Sequence, residues 1–323
     1  MQQWSHTRDE IFRDCARKYY YRYYGGAGGW SLRAPEMTRR IYRLTQLTSF
    51  DQALGIAIHA RAREIAAAVL QGAPLPSLAL LEERTRAELN RLYLGSKDLT
   101  AFRRDPGAHP VLLSVYYGRG VAERTLQRIR VKMKACLVHL LESPIWVALG
   151  RCHPASVWLT DAPGAFIFEE ISIWATPDLV FAGTDGCPTI VDWKTGRVVG
   201  EKALAQLGIY ARFVKDSLAQ PLPARGFIGK VADLQHGETW EFALTELEIA
   251  AADHRIRESV KAMDALLLDP KQGLPRPITS FPLAARPARC PECNYWELCE
   301  PQIRSSSATS PLADPIQDAR ASS

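Results

Sequence analysis

The first half of the chain has apolar residues at helical spacing, whereas the second half has short runs typical of strands. Helical periodicity covers residues 5–24, where Ser5 can act as the N-cap, and returns over residues 50–71. Most of the segment at about 75–150 has the same spacing. The pattern therefore predicts a helical layer, with about 75–150 as a helical insertion, ahead of any sheet.

Near Pro154 the pattern changes to short runs rich in β-branched and aromatic residues, separated by turn residues. The predicted strands are 156–159, 165–174, 178–182, 188–194, 225–231 and 238–243. The remaining predicted elements are a helix over 201–218, a helix from a Thr245 cap to about Leu268, a proline-rich loop over 269–289 and a disordered tail over 304–323. We expect one α/β domain over residues 1–303, in which helices flank a central mixed sheet.

Composition places the chain among soluble globular proteins. It has 323 residues, of which 47% are hydrophobic and 23% charged, with a formal net charge of +5. This mild excess of positive charge is compatible with a polyanionic partner. No continuous apolar run approaches a membrane span, and the N-terminus lacks a signal-peptide pattern. We therefore expect a cytoplasmic protein without a membrane partner, whose seven cysteines are thiols or metal ligands rather than disulfides.

An acidic cluster lies on two of the predicted strands. Asp192 and Lys194 are two residues apart and project from one face of a strand. If the preceding turn is centred on Asp185, Asp178 pairs with Asp192, and their Cβ atoms are about 4.5–5.5 Å apart. Two carboxylates this close need a cation between them, and their oxygens suit Mg²⁺ or Mn²⁺. The side chain of Trp193 points the other way, and its backbone carbonyl lies beside the site.

These residue types suit metal-assisted hydrolysis of a phosphodiester. A metal lowers the pKa of bound water, and Lys194 can orient that water or neutralise the transition state. The alternative is a solvated hairpin with ordinary surface charges, since an Asp-x-Lys triplet is common. The apolar stretches 179–181 and 189–191 favour buried strands, in which carboxylates need partners.

Two weaker features accompany the cluster. His59 lies on the apolar helix over 50–71, where it can complete a metal shell or serve a purely structural role. Gln206 and Tyr210 are four residues apart just after the lysine strand, so they share one helix face, although an aromatic at this spacing is usually a core residue.

The order of these residues resembles the PD-(D/E)xK nuclease superfamily, and more narrowly its RecB-type branch. His59 matches the helical metal-binding His of that branch, Pro177-Asp178 its first acidic motif, and Asp192-Trp193-Lys194 its second. Gln206 and Tyr210 match the last motif, whose members help to position DNA. The resemblance implies a restriction-endonuclease-like core and a Mg²⁺- or Mn²⁺-dependent deoxyribonuclease, most simply an exonuclease, in DNA repair, recombination or defence against foreign DNA. Asp178, Asp192 and Lys194 would be catalytic; the metal ligands would be His59, both aspartates and the Trp193 carbonyl.

Four cysteines are distributed between the two ends of the chain. Cys15 stands near the start, while Cys290, Cys293 and Cys299 form the pattern C-x2-C-x5-C near the end. Four thiolates suit either a 4Fe–4S cluster or Zn²⁺, and the spacing is not that of a zinc finger. The set resembles the iron–sulfur subgroup of the same nucleases, found in CRISPR-adaptation and AddAB-type enzymes, which implies the cluster. Ala16 stands where that subgroup often has proline.

A basic row on the insertion is the last candidate feature. Arg124, Arg128 and Lys132 recur every four residues, away from the apolar stripe of their helix. Such a row can follow DNA phosphates, or it can be a merely solvated face. No helicase segment is visible, so a helicase or another nucleic-acid-processing subunit is a candidate partner. The alternative function is a non-catalytic DNA-binding or scaffold subunit of a helicase–nuclease complex.

Overall fold

A computed structural model describes residues 3–153, 156–160, 164–183, 186–197, 200–217 and 225–308. The helices are α1 His6–Asp14, α2 Ala16–Tyr20, α3 Glu36–Thr45, α4 Phe50–Leu70, α5 Leu78–Gly95, α6 Leu99–Arg104, α7 Leu113–Tyr116, α8 Glu123–Leu141, α9 Ile145–Gly150, α10 Gly200–Ser217, α11 Glu246–Asp264 and α12 Trp296–Ala308. The strands are β1 Gln3–Ser5, β2 Leu47–Thr48, β3 Val111–Leu112, β4 Val157–Thr160, β5 Gly164–Phe168, β6 Ile171–Ala175, β7 Leu179–Ala182, β8 Pro188–Lys194, β9 Phe227–Asp233, β10 Glu238–Leu244, β11 Leu267–Asp269 and β12 Leu274–Pro275.

The central sheet has five strands in the order β10-β9-β8-β7-β4. Strands β8 and β9 are parallel, and the other neighbours are antiparallel. The connection between the parallel pair contains α10, as a parallel crossover requires. A second sheet has the order β1-β6-β5, in which the N-terminal strand runs parallel to β6. The prediction of an α/β fold with a mixed sheet is confirmed.

Helices cover both faces of the central sheet, and each face has its own core. Successive residues of β8 alternate between the two cores, as the pleat of a strand requires. Ile190 packs on one face with Leu207 of α10 and Ile256 of α11. Val191 packs on the other face with Ile58 of α4, together with residues of α8 and α9. The sheet is therefore buried on both sides along the strand that carries Asp192.

Local sequence explains how the two helices next to the site are held. A capping box begins α4, because the Ser49 hydroxyl accepts from the Gln52 N–H while the Gln52 side chain accepts from the Ser49 N–H. Helix α10 packs closely on α11 at Gly208, where an added Cβ would lie 2.8 Å from the carbonyl oxygen of Glu248. Only glycine permits this approach, which fixes the height of α10 above the sheet.

Most predicted elements are present with shifted ends, but two were wrong. The helix predicted over 5–24 is interrupted at Cys15, whose backbone is extended and whose sulfur accepts from the Lys18 N–H at 3.4 Å. The strand predicted over 165–174 is instead the hairpin β5–β6, which turns at Glu169 and Glu170 with φ of 48° and 67°. Neither break carries a glycine or a proline, so the apolar pattern continues through both.

The C-terminal end also differs from expectation. The proline-rich loop contains the small hairpin β11–β12 and two short 3₁₀ turns. Helix α12 continues to Ala308, so the first residues of the tail expected over 304–323 are helical. Residues 309–323 lie outside the part of the chain that the structure describes, as do the turn residues 161–163 and 184–185.

The helical insertion predicted over about 75–150 corresponds to α5–α9 with the short strand β3. A segment within Glu123–Gly150 is long and apolar enough, by length and composition alone, to cross a membrane. It is divided between α8 and α9, and Leu137, Leu140 and Trp146 are buried in the core beside α4. Burial in the core explains its apolar character.

A buried carboxylate fastens the N-terminal helix to α11. Asp9 is fully buried and accepts from Arg13 at 2.8 Å, from Arg255 at 2.9 Å and from the Ser259 hydroxyl at 2.6 Å. The same Ser259 hydroxyl accepts from the Trp4 indole at 2.9 Å. One carboxylate thus joins α1, α11 and, through Ser259, β1.

We expect Asp9→Ala to lower the free energy of unfolding by about 3 kcal/mol, because it leaves two guanidinium groups and a buried hydroxyl without their acceptor. Asp14→Ala is the matched control, since Asp14 is an exposed carboxylate at the end of α1 and its ion pair with Lys18 should be worth less than about 1 kcal/mol. Urea unfolding measures both. Equal losses in the two variants would contradict the role assigned to Asp9.

Candidate active site

The acidic residues meet at one edge of the central sheet. Leu179 of β7 pairs with Val191 of β8, so the preceding residue, Asp178, stands opposite Asp192. This is the register expected from a turn centred on Asp185. Both aspartates are buried, with 8% and 3% of their surfaces exposed. The sequence therefore places two carboxylates side by side where the apolar interior ends.

Asp178 is held by two donors from different elements. Its Oδ1 lies 2.8 Å from Nδ1 of His59 on α4, and its Oδ2 accepts from the backbone N–H of Trp193 at 2.6 Å. Burial lowers the pKa of His59, but the hydrogen bond and charge of Asp178 outweigh it and raise the pKa overall. His59 thus holds the carboxylate of Asp178 in position.

Asp192 is paired with the lysine two residues later. The Lys194 Nζ lies 2.6 Å from Asp192 Oδ2 in an ion pair. Burial raises the pKa of Asp192 to about 6; Lys194 opposes this rise and Asp178 adds to it. The negative charge of Asp192 is therefore only partly compensated by its neighbours.

A chain of hydrogen bonds links Lys194 to α10. Its Nζ donates to the Gln206 side-chain oxygen at 2.8 Å, and the Gln206 amide donates to the Tyr210 hydroxyl at 2.6 Å. The i, i+4 spacing places both side chains over the end of β8. Burial, with the nearby charges of Asp192 and Asp178, raises the pKa of Tyr210 well above its ordinary value. Tyr210 is also part of the hydrophobic core, as an aromatic residue at this spacing usually is.

Two further groups at the site were not found from the sequence. The sequence assigned a role to the Trp193 carbonyl, whereas the contact seen at the site is made by its N–H; the indole packs on Trp146 on the opposite face, as expected. Arg63, one turn after His59, lines the same small cavity as His59 and Asp178. The sequence could have indicated Arg63, because it lies four residues after His59 and so on the same face of α4.

The donors at this edge have the chemistry that a divalent metal requires. Two carboxylates and an imidazole suit Mg²⁺ or Mn²⁺, and both aspartates are buried, where a bound cation would compensate their charge. In the described part of the chain, no three His, Cys, Asp or Glu side chains already surround one ion position. Each donor is instead engaged by a neighbour: His59 by Asp178, and Asp192 by Lys194. A bound metal would replace these contacts.

The four predicted cysteines line one cavity. Cys15 lies at the junction of α1 and α2, and Cys290, Cys293 and Cys299 reach the same cavity from the C-terminal segment. Burial raises the pKa of Cys293, and it raises that of Cys299 to about 11, with a further contribution from Cys293. The two ends of the chain are therefore neighbours, and their thiols share one site.

Other contacts hold the same two segments together. Arg17 is buried and donates to the Phe281 carbonyl at 2.8 Å, while its backbone N–H donates to the Pro282 carbonyl at 3.1 Å. The Tyr21 and Tyr295 rings pack with their centres 5.1 Å apart. The juxtaposition of the chain ends thus rests on more than the cysteines.

The basic row on α8 is partly neutralised. Arg128 and Lys132 each lie 2.7 Å from a carboxylate oxygen of Asp51 on α4, whose pKa is lowered to about 2, chiefly by the hydrogen bond from Arg128. Arg124 is exposed at the start of α8. The spacing on α8 gave no sign of Asp51, because that carboxylate comes from another helix. The row therefore carries less net charge than the sequence suggested.

We expect Asp192→Asn to stabilise the metal-free protein at pH 7.5 by about 1–3 kcal/mol, because an aspartate whose pKa is raised on folding resists ionisation in the folded state. Stability from such a group is present below its unfolded pKa of about 4 and is lost as the pH rises to about 6. The extra stability of the Asp192→Asn variant should therefore develop as the pH rises from about 4 to about 6, and it should vanish near pH 3.5. Thermal unfolding of both proteins across this range tests it; an unchanged or lower midpoint at pH 7.5 would contradict it.

Comparison with known proteins agrees with this geometry. The profile of the PD-(D/E)XK nuclease superfamily matches residues 3–300, nearly the whole chain. A search of curated proteins finds no match. Members of the superfamily are generally nucleases that use divalent metals such as Mg²⁺. The match covers more than nine-tenths of the chain, and the chain belongs to the PD-(D/E)XK nuclease superfamily.

Proposed function

We propose that this chain is a divalent-metal-dependent deoxyribonuclease of the RecB-type branch. The observation that carries the proposal is the continuous set of contacts at the sheet edge. His59 holds Asp178, and Lys194 links Asp192 to Gln206 and thence to α10. A scaffold subunit, the alternative function, has no use for a lysine held beside an under-compensated buried carboxylate.

The metal site would consist of His59, Asp178, Asp192 and the Trp193 carbonyl. A divalent metal bound there would supply Lewis-acid polarisation of the scissile phosphate. Asp178 is fixed before binding, because the Trp193 N–H leaves its carboxylate little rotational freedom. His59 would hold such a metal through a ring nitrogen and would give up its contact with Asp178.

Lys194 is the residue best placed to act on the reacting phosphate. Its side chain is about one-third exposed, so the ammonium borders solvent while its stem is packed. Gln206 and Tyr210 fix its position through two short hydrogen bonds. A cation held in this way stabilises negative charge as it develops on a phosphoryl oxygen, or orients the attacking water.

DNA would approach from the side of α4 and α8. Arg124, Arg128 and Lys132 border an open groove there, and their charge favours a phosphate backbone without reading its sequence. Gln206 and Tyr210 lie at the other side of the catalytic edge. We favour exonuclease activity in DNA repair, recombination or defence against foreign DNA, with a helicase or similar subunit as partner and a cytoplasmic location.

We further propose that Cys15, Cys290, Cys293 and Cys299 hold a 4Fe–4S cluster. Four sulfurs, contributed by both ends of the chain, line one cavity. Four thiolates suit either Zn²⁺, the alternative, or a 4Fe–4S cluster, and the resemblance to the iron–sulfur subgroup favours the cluster. The raised pKa of Cys293 and Cys299 means that four thiolates in this cavity need a cationic group to compensate them.

The nuclease proposal is tested by cleavage of end-labelled DNA with Mg²⁺ or Mn²⁺. Asp178→Asn, Asp192→Asn and Lys194→Ala should each lower the cleavage rate by at least about 10²-fold while largely preserving DNA binding, because each removes a group that acts on the transition state. Lys202→Ala is the matched control for charge, since Lys202 is an exposed lysine on α10. Cleavage by Asp192→Asn at the wild-type rate would refute the assignment.

The cofactor is tested on protein purified without oxygen. We expect a brown protein with about four iron atoms per chain. Cys15→Ser should remove the colour and lower the melting temperature, because three thiolates hold a cubane poorly and the link between the chain ends is lost.

Cys152→Ser serves as the control, since Cys152 is a half-buried thiol that donates to the Ala148 carbonyl outside the cavity. A colourless protein with stoichiometric zinc would reject the iron–sulfur assignment and keep the structural link. Full cofactor and unchanged melting in Cys15→Ser would reject both roles of Cys15.

A further inference from the structure

An open groove lies between α8 and the turn that joins β9 to β10. Its α8 wall carries Arg124, Arg128 and Lys132, and its opposite wall carries Gln235 and His236. The turn begins at Asp233, which pairs in register with Lys194 on the neighbouring strand. The groove therefore begins at the same edge of the sheet as the catalytic residues.

His236 is held in place by a buried aspartate. Asp233 is only 3% exposed and accepts from the backbone N–H groups of Gln235 at 2.9 Å and His236 at 3.1 Å. Its second oxygen lies 2.8 Å from Nδ1 of His236. The ring is thereby fixed in orientation, and Nε2, on the far side of the ring, remains available to a ligand. Side-chain amides and an oriented imidazole opposite a basic row are the donors that phosphate oxygens accept from.

Asp51 sets the charge of the opposite wall. It accepts ion pairs from both Arg128 and Lys132, so three cations and one carboxylate leave an excess of two positive charges along α8. The same carboxylate keeps both side chains in fixed positions above the groove. Cations that are pre-positioned lose less conformational freedom when an anion binds.

Helix α4 connects the groove to the catalytic edge. Asp51, Gly55 and His59 follow one another at four-residue intervals, and a Cβ at Gly55 would lie 3.4 Å from the hydroxyl of Thr195, next to Lys194. Eight residues of helix span about 12 Å. This length of helix separates Asp51, and the Arg128 and Lys132 side chains paired with it, from His59 at the catalytic edge.

We propose that this groove is a phosphate-binding subsite, in which Arg124 and the His236–Asp233 pair hold the DNA backbone at a phosphate outside the metal site. The subsite deepens the proposed nuclease function and rests on it for the identity of the polyanion. The protein would thereby bind the DNA strand at a second position, separate from the metal site.

The test measures binding of a fluorescent 20-nucleotide single strand to the full chain by anisotropy, without divalent metal. Arg124→Gln with His236→Gln should weaken binding about 5- to 20-fold and reduce the slope of log affinity against log salt by about one. The matched control is Arg130→Gln with Lys134→Gln, which removes exposed charges from another face of α8.

The position of the contact is tested by replacing single phosphates with neutral methylphosphonates along the strand. In the unaltered protein, affinity should fall most at one particular phosphate outside the cleavage site. In the Arg124 and His236 variant that particular loss should disappear, as a double-mutant cycle requires for two groups in contact. Additive losses, or equal weakening by the control pair, would overturn the subsite.

The two proposals fail in distinguishable ways. DNA cleavage without coupling between the groove and a phosphate would reject the subsite and leave the nuclease function standing. Coupling without cleavage in Mg²⁺ or Mn²⁺ would support the phosphate site and reject the nuclease function. Neither cleavage nor binding would reject both.

Discussion

Two carboxylates buried next to each other are the constraint around which this fold is organised. Asp178 and Asp192 stand opposite each other on antiparallel strands that are mostly apolar. Isolated buried charges are strongly unfavourable, so neighbouring elements bring compensating groups to this pair. Helix α4 contributes an imidazole, β8 contributes a backbone N–H and an ammonium, and α10 fixes that ammonium through Gln206. Stability is lost at this edge so that the site can hold a cation.

The site lies where the two hydrophobic cores meet. Asp192 and Lys194 face the α10 side of the sheet, while Trp193 between them is buried on the α4 side against Trp146. A rigid strand clamped from both faces holds its end residues more precisely than a loop would. The edge of the sheet therefore combines fixed side chains with an opening to solvent, and this combination suits a reaction on a large polymer.

Contacts within one hairpin or one helix could be predicted from the sequence, whereas contacts between elements far apart in the chain could not. The register that sets Asp178 opposite Asp192 follows from one turn, and the Gln206–Tyr210 pair follows from helical spacing. By contrast, Asp51 neutralises Arg128 and Lys132 from a helix about eighty residues earlier, which no local pattern reveals. The break at Cys15 was missed because its cause is an extended backbone that capping by the cysteine sulfur permits, not a glycine or proline. The hairpin at Glu169 and Glu170 was missed because two glutamates adopt positive φ there.

The partnership of Arg17 with Phe281 has a consequence for synthesis on the ribosome. The two residues are 264 positions apart, and the Trp4–Ser259 contact spans 255. At about 5–20 residues per second, the partner of Arg17 is made about 13–50 s after Arg17 itself. During that interval the aromatic helices at the N-terminus have emerged but lack the segment that covers them. Completion of this layer is therefore a late event in synthesis, and the growing chain presents a surface that a chaperone can occupy until the segment around Phe281 has been made.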